Sequence, residues 1–267
     1  MTDADTERGG AQAPAVLRAV RILDLLALTP GQVRTLTDIA RELGIAKSST
    51  SALCAALEQG GLVRRTEGGY LLGRRTVDIG SAYLAGFDQI REFYRICEES
   101  PVLSRQLVQI AMLDGSRVLY LAVFEGRERF PLSASVGDRY PASATAVGAA
   151  LLAELEPEQV EDLYRDPTAL VTFTDRSVTD LHALQERLSE TKRRGYAIDE
   201  GSLHVSVLGL AKLVPAASSG QPSFAIGVSL VHPADSEREQ ESVLAALTQA
   251  AAELERPVLV PSPTFSQ

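Results

Sequence analysis

The segment from residue 36 to residue 72 constrains this chain most, because it predicts two short helices, a tight turn and a β-hairpin in direct succession. Thr35 supplies a hydroxyl cap with an acid, Asp38, three residues later, and Gly44 ends the first helix. A turn with an apolar residue in its middle, Ile45, then leads into a second helix over about residues 47–59. Two short helices across such a turn indicate a helix-turn-helix, whose second helix enters the major groove of DNA by its N-terminal residues.

The second helix begins with a lysine and a row of small hydroxyl residues, KSSTS. Small hydroxyls let the backbone approach DNA and can contact phosphate or base edges, while Lys47 adds positive charge. The alternative is that the serine and threonine run only caps a helix whose formal cap position, Ala46, is a poor one.

The hairpin that follows favours the DNA interpretation. A Gly60-Gly61 pair breaks the helix, a strand carries Arg64 and Arg65, and a turn at residues 67–69 leads to a return strand over residues 70–72. Such a hairpin is a wing that can reach the flanking phosphates. The predicted DNA-binding residues are Arg34, Thr35, Lys47, Ser48, Ser49, Thr50, Ser51, Arg64 and Arg65.

Charge is divided unevenly along the chain. The whole sequence carries a net charge of −9. Residues 11–87 hold nine Lys/Arg against six Asp/Glu, whereas residues 88–267 hold sixteen against twenty-six. The positive balance needed to bind phosphate is therefore confined to the first third, and the asymmetry favours two domains.

The remaining patterns give a domain plan of α+β class. We expect a disordered tail over residues 1–13, a winged helix-turn-helix domain over 14–75, a linker helix over 76–100 that the pattern would also allow as two amphipathic helices, an effector domain over 101–256, and a tail over 257–267. Period-two runs predict strands at 107–112, 118–124, 130–136, 196–198, 205–214 and 224–230, and helical patterns fall at 147–155, 156–164, 179–194 and 235–254.

Several sequence blocks resemble those of IclR-type bacterial transcriptional regulators. They are LRAVRILDLLAL, LTDIARELGIAKSST, GGYLLGRRTVDIGSAYL, AMLDGSRVLYLAV, SVGDRYPASATAVGAALLAEL, LSETKRRGYAIDEG and AIGVSLVHP, together covering about residues 14–255. The resemblance implies an N-terminal winged helix-turn-helix joined by a linker helix to a GAF-like α/β sandwich that binds effector. It also implies homodimers, often as pairs of dimers, double-stranded operator DNA as a partner, and a small organic effector.

The same resemblance implies where the effector binds, and the sequence departs from the family there. Gly201-Ser202 replaces a usual Glu-Glu, Gly209 and Gly227 stand where cysteine and serine are frequent, and Ala52 replaces a usual arginine of the recognition helix. Because glycine removes a side chain, we predict a carboxylate or aromatic effector larger than pyruvate. The implied effector-binding residues are Ser143, Ala144, Thr145, Ala146, Val147, Gly148, Asp199, Gly209, Gly227 and Ser229, with Phe130 and Leu132 either as apolar walls or as core.

Two features of this predicted site have alternatives. Backbone N–H groups at the start of the helix near Val147 would suit a carboxylate. Asp199 could accept a hydrogen bond from a ligand hydroxyl or amine, or could cap a turn.

Other function classes have weak support in the sequence. Ser189 and Lys192 match an S-x-x-K pattern in a charged helix, without companion nucleophile motifs, so an enzyme is not expected. Two cysteines and three scattered histidines show no metal-ligand spacing, and neither a metal nor a cofactor is expected. The absence of an apolar run of about 18 residues and of a signal-peptide pattern predicts no membrane association and a cytoplasmic protein. A regulator that binds DNA without a ligand is the remaining alternative.

Overall fold

The computed structural model describes residues 13–126, 134–216, 218, 220–231 and 237–256. The chain divides into two compact units between Leu84 and Ala85. Each unit has its own hydrophobic core.

The first unit holds the predicted helix-turn-helix and hairpin. Thr35 caps the second helix, with its hydroxyl oxygen 3.1 Å from the backbone nitrogen of Asp38, and Gly44 ends that helix in the left-handed conformation at φ 65°. The backbone of Tyr70 also bridges to Arg34, which ties the hairpin to the start of the helix-turn-helix. The elements are α1 (Pro14–Ala27), α2 (Leu36–Leu43), α3 (Lys47–Gln59), β1 (Val63–Thr66), β2 (Gly69–Leu72) and α4 (Arg75–Leu84).

Of the two interpretations of residues 76–100, two helices are present and a single linker helix is not. Helix α4 ends at Leu84, and a separate helix, α5 (Asp88–Glu99), belongs to the second unit. The physical reason is packing, since α5 buries Ile90, Phe93 and Ile96, whereas α4, which the structure describes in full, buries no residue.

The second unit is built on one antiparallel sheet of six strands. Its order is β5-β4-β3-β8-β7-β6. The strands are β3 (Leu107–Asp114), β4 (Arg117–Glu125), β5 (Arg139–Pro141), β6 (Ala197–Glu200), β7 (Val207–Val214) and β8 (Phe224–Val231), and the further helices are α6 (Ala146–Leu152), α7 (Pro157–Leu163), α8 (Leu181–Arg194) and α9 (Glu237–Glu255).

Helices cover both faces of this sheet. Successive strand residues point to opposite faces. Ala225 belongs to the core beneath α6, whereas the ring of its neighbour Phe224 packs edge-on against Phe87 just before α5. Helix α9 contacts α5 and strands β7 and β8. The unit is therefore an α/β sandwich with α6 and α8 on one side and α5 and α9 on the other.

The strand predicted over 130–136 has no counterpart among the described residues 134–136. Residues 130–133 lie outside the described part, and residues 134–136 are not in a strand. The edge strand beside β4 is β5, and Val118 of β4 lies opposite Tyr140 of β5. In the described part of the chain, no helix combines the length and the apolar character needed to cross a lipid bilayer.

Candidate functional sites

The N-terminal turn of α3 presents most, but not all, of its predicted DNA-binding side chains to solvent. Lys47, Ser48 and Ser51 are exposed and Ser49 is partly exposed. Thr50 is fully buried, and its hydroxyl donates to the carbonyl oxygen of Ala46 at 3.1 Å. The prediction of a DNA contact by Thr50 is therefore wrong, because this side chain packs into the core of the first unit.

Arg34 and Thr35 take structural roles at the start of α2. The guanidinium of Arg34 lies 2.9 Å from a carboxylate oxygen of Glu42, and its Nε donates to the Thr29 hydroxyl at 3.2 Å. The hydroxyl of Thr35 donates to Asp38 at 2.7 Å, and this bond lowers the pKa of Asp38 below its ordinary value. Thr35 stays exposed, so it can still meet phosphate, whereas the charge of Arg34 is already paired.

The wing holds two exposed cations. Arg64 stands opposite Leu71 and Arg65 opposite Tyr70 across the hairpin, and both arginine side chains are exposed while Tyr70 is buried. Within the described residues, no carboxylate forms a salt bridge with Arg64, Arg65 or Lys47. These three cations of the first unit are thus available to phosphate.

A small cavity with polar and apolar lining, the central cavity, lies between the N-terminal end of α6 and the sheet. Its volume is about 50 Å³. It includes eight of the predicted effector residues, Ala144, Thr145, Ala146, Val147, Asp199, Gly209, Gly227 and Ser229, and also Gln109, Tyr120, Leu203, Val207, Leu210 and Val228.

The two glycines of β7 and β8 do not enlarge this cavity. A Cβ at residue 209 would lie 3.0 Å from the Cβ of Ala146, and a Cβ at residue 227 would lie 2.6 Å from Cγ1 of Val147. The space that side chains at residues 209 and 227 would need is occupied by Ala146 and Val147 of α6. The inference from these glycines to a larger pocket is therefore wrong.

Ser143 and Gly148 are buried beside the central cavity but do not line it. The carbonyl of Ser143 accepts a hydrogen bond from Arg187 at 3.1 Å. A Cβ on Gly148 would come within 2.1 Å of the backbone oxygen of Ala142, so glycine is needed there for close packing. Phe130 and Leu132 lie outside the described residues.

Arg187 ties together the segments that surround the central cavity. Its guanidinium donates to the carbonyl of Ser143, to the Ser202 hydroxyl at 3.2 Å, to the carbonyl of Ile198 at 3.0 Å and to Asp199 Oδ1 at 3.1 Å. Asp199 Oδ1 also accepts from the backbone nitrogen of Ser202 at 3.3 Å. Asp199 thus caps a turn, and the ion pair with Arg187 balances its buried charge. Because Asp199 also lines the central cavity, its contact with a ligand stays a prediction.

Sequence patterns missed several cavity residues. Gln109 is 3% exposed and donates to the Ser229 hydroxyl at 3.2 Å, and burial raises the pKa of Tyr120 well above its ordinary value, which keeps it protonated. A glutamine inside the apolar run LVQIAML was a usable signal, because a buried amide needs a partner. Leu203 and Val207 carry no such signal, since only the chain path brings them there.

The start of α6 offers fewer free N–H groups than expected. The helix is seven residues long, and the Thr145 hydroxyl already accepts from the nitrogen of Gly148 at 3.1 Å. Among the described residues, no group of three or more His, Cys, Asp or Glu side chains could hold a metal ion.

Each of the two units matches a domain of known proteins, and both domains come from one protein family. Residues 15–67 match the IclR helix-turn-helix domain, and residues 81–256 match the bacterial transcriptional regulator IclR C-terminal domain. The HTH-type transcriptional regulator Rv1719 of Mycobacterium tuberculosis is 32% identical over 200 residues, which cover 73% of each chain. The HTH-type transcriptional repressor AllR of Klebsiella pneumoniae is 29% identical over 224 residues, covering 83% of this chain and 80% of AllR.

A solved structure has the same fold. The IclR transcriptional regulator from Alicyclobacillus acidocaldarius aligns with a TM-score of 0.79 at 23% identity, over 91% of this chain and 98% of that one. Rv1719 and AllR both carry the names of regulators rather than enzymes. The helix-turn-helix with its wing, the effector-type sandwich and these matches lead to one conclusion: the chain belongs to the IclR family of bacterial transcriptional regulators.

Proposed function

We propose that this regulator is a repressor that binds operator DNA through α3 and the wing, and that a small effector in the central cavity changes its affinity for the operator. The observation that carries the DNA part is the exposure of three cations, Lys47, Arg64 and Arg65, together with the exposed hydroxyls of Ser48 and Ser51 on α3. Repression is proposed by analogy with relatives such as AllR.

Helix α3, the recognition helix, has no arginine at its exposed start that could donate two hydrogen bonds to a base, because Ala52 stands where an arginine is usual in the family. Base readout then rests on Ser48, Ser49 and Ser51, with Lys47 and the wing arginines supplying phosphate contacts. Contacts between cations and phosphates then supply a large part of the binding free energy, so the affinity for DNA should fall steeply as the salt concentration rises.

The test is the double variant Arg64→Ala/Arg65→Ala, assayed on DNA selected from genomic fragments by the wild-type protein. Each lost phosphate contact should reduce the slope of log affinity against log salt by about 0.9, hence by about 1.8 for both, with weaker binding at every sequence. Arg193→Ala on α8 is the matched control and should leave the slope unchanged. An unchanged slope in the double variant would remove the wing from the interface.

The effector proposal is revised by the size of the central cavity. A cavity of about 150 Å³ accommodates benzene, whereas this one is about 50 Å³. Without movement of its walls, it fits molecules on the scale of two- or three-carbon acids. Gln109, Tyr120, Thr145 and Ser229 supply polar groups that such a ligand can engage.

Calorimetry with pyruvate and glyoxylate, against a panel of aromatic and acyl acids, tests the size argument. We expect the small acids to bind and to change operator affinity, and Gln109→Leu to weaken that binding about tenfold through the lost amide. Gln249→Leu on α9 is the matched control. Operator binding that ignores every small acid, and central-cavity variants without effect, would favour a regulator that acts without a ligand.

A homodimer is proposed from apolar surface on the first unit. Helix α4 exposes Val77 and Ile79, and α1 exposes Val16, Leu17 and Val20, all at least 47% exposed. Apolar side chains at this density on two helices are typical of a contact with a second copy. Light scattering should give about twice the chain mass of 28.6 kDa, and Val77→Glu/Ile79→Glu should shift the protein to monomer. A wild-type monomer would refute the proposal.

A further inference from the structure

A second and larger cavity lies between α7 and α8, over the C-terminal end of α6. We name it the α7–α8 groove. Its volume is about 310 Å³, against about 50 Å³ for the central cavity. Among the described residues, none lines both cavities. The groove is lined by Leu152, Ala153, Leu155, Pro157, Val160, Gln185, Leu188, Ser189 and Lys192.

The floor of the groove is apolar and belongs to the core. Leu152 is 0% exposed, Val160 2% and Leu188 7%. These side chains pack in the same hydrophobic cluster as the rest of α6, so the floor is held rigidly. The apolar lining that remains accessible to a ligand is Leu155, which is partly exposed, and Pro157, which is exposed.

The rim is a polar stripe along one face of α8. Gln185, Ser189 and Lys192 recur at helical spacing with Leu188, so they line the same side of the helix. Gln185 donates its amide to Glu161 on α7 at 3.1 Å, which joins the two walls at that end. The opposite end of the stripe holds Ser189 and Lys192.

Lys192 supplies the positive charge of the groove lining. No salt bridge joins it to a carboxylate in the described part of the chain, although Glu190 lies two residues away. Glu190 is instead paired with Arg193 at 2.6 Å and Arg194 at 2.8 Å. An ammonium at the rim of an apolar groove complements a ligand with one anionic group.

We propose that the α7–α8 groove binds a small amphipathic carboxylate, with a single-ring aromatic or branched apolar body. The body lies against Leu155 and Pro157, next to the buried floor, and the carboxylate meets the ammonium of Lys192 and the hydroxyl of Ser189. The volume exceeds the roughly 150 Å³ that holds benzene and reaches the lower range of small-molecule sites, about 300 Å³. This site is additional to the effector cavity and does not depend on the DNA-binding proposal.

Calorimetry with 3-phenylpropanoate and its neutral analogue 3-phenylpropanamide tests the charge requirement on the full chain. We expect the acid to bind, and the amide to bind about threefold to tenfold more weakly, as for a partly exposed ion pair. Lys192→Met should weaken binding of the acid by the same factor and leave binding of the amide unchanged. Arg193→Met, the neighbouring cation outside the groove, should change neither.

A second variant and a location measurement keep the test decisive. Ser189 is exposed, so Ser189→Trp places an indole over the groove without disturbing the core and should abolish binding while the melting temperature is retained. In methyl NMR spectra, 3-phenylpropanoate should shift Val160 and Leu188 but not Val147. Absence of binding at millimolar acid, or binding that survives both variants, or shifts confined to Val147, would overturn the proposal.

Discussion

Replacing Gly227 by alanine tests whether α6 has taken the space that this glycine leaves. The added Cβ would lie 2.6 Å from Cγ1 of Val147 and 3.1 Å from the carbonyl oxygen of Leu210. Carbon atoms in contact normally sit about 3.5–4.0 Å apart. Val147 must therefore retreat by about 1 Å, or the strand must bend.

Neither adjustment is easy. Val147 is β-branched and in a helix, which leaves it one strongly preferred rotamer, and it is 4% exposed. Overpacking of this kind costs about 1–3 kcal/mol. Val147→Ala alone removes two buried methyl groups and should cost about 2 kcal/mol. In the double variant the clash disappears, so the two losses should not add, and a favourable coupling of about 1–2 kcal/mol is expected.

Thermal unfolding followed by circular dichroism measures these costs. For a unit of 150–250 residues, about 2 kcal/mol corresponds to a shift of about 4–8 °C, and the second unit spans Ala85–Gln267. The matched control is Gly80→Ala on α4, where nothing lies within 4 Å of the added Cβ and α-helix propensity should improve stability slightly. The melting temperature of the second unit should fall in Gly227→Ala and stay unchanged in Gly80→Ala.

Two results would refute this reasoning. One is a Gly227→Ala variant as stable as wild type, because it would mean that the cavity, rather than Val147, receives the methyl group. The other is simple additivity of the two substitutions, since it would show that the residues do not compete for one space.

Three further predictions concern buried groups. Thr50→Val should leave operator affinity within about twofold while costing about 1 kcal/mol of stability, as measured by filter binding and urea unfolding. Arg187→Met should destabilise the second unit by about 3 kcal/mol, because it leaves the carboxylate of Asp199 buried without its partner, and the companion variant Arg187→Met/Asp199→Asn should recover part of this loss. Burial raises the pKa of both thiols, that of Cys97 to about 12, so Cys54 and Cys97 should react with a thiol reagent at pH 8 only as their units open. The Cys97 thiol loses its proton at lower pH in the unfolded chain than in the folded one, so the stability of the second unit should fall as pH rises from about 9 to about 12. Rapid labelling of the native protein, or a stability that stays constant over that pH range, would contradict the burial of these thiols.

The helix-turn-helix was predictable because its signals are local. A threonine cap at residue 35, a left-handed glycine at residue 44 and a helix-breaking glycine pair at residue 60 act within a few residues, and each is present in the structure. Even the burial of Thr50 had a local signal, since residues 50, 54 and 57 recur at helical spacing and all three are buried.

The sequence by itself therefore determined the helix-turn-helix with its wing, the family, and the unit that carries Lys47, Arg64 and Arg65. Only the tertiary structure decided the shape of the cavities. The sequence does not show whether the space beside Gly209 and Gly227 is empty or filled. That depends on how closely α6, from another part of the chain, approaches the sheet. The same holds for Arg187 and the α7–α8 groove, whose partners lie far apart in sequence and meet only when the strands and helices pack.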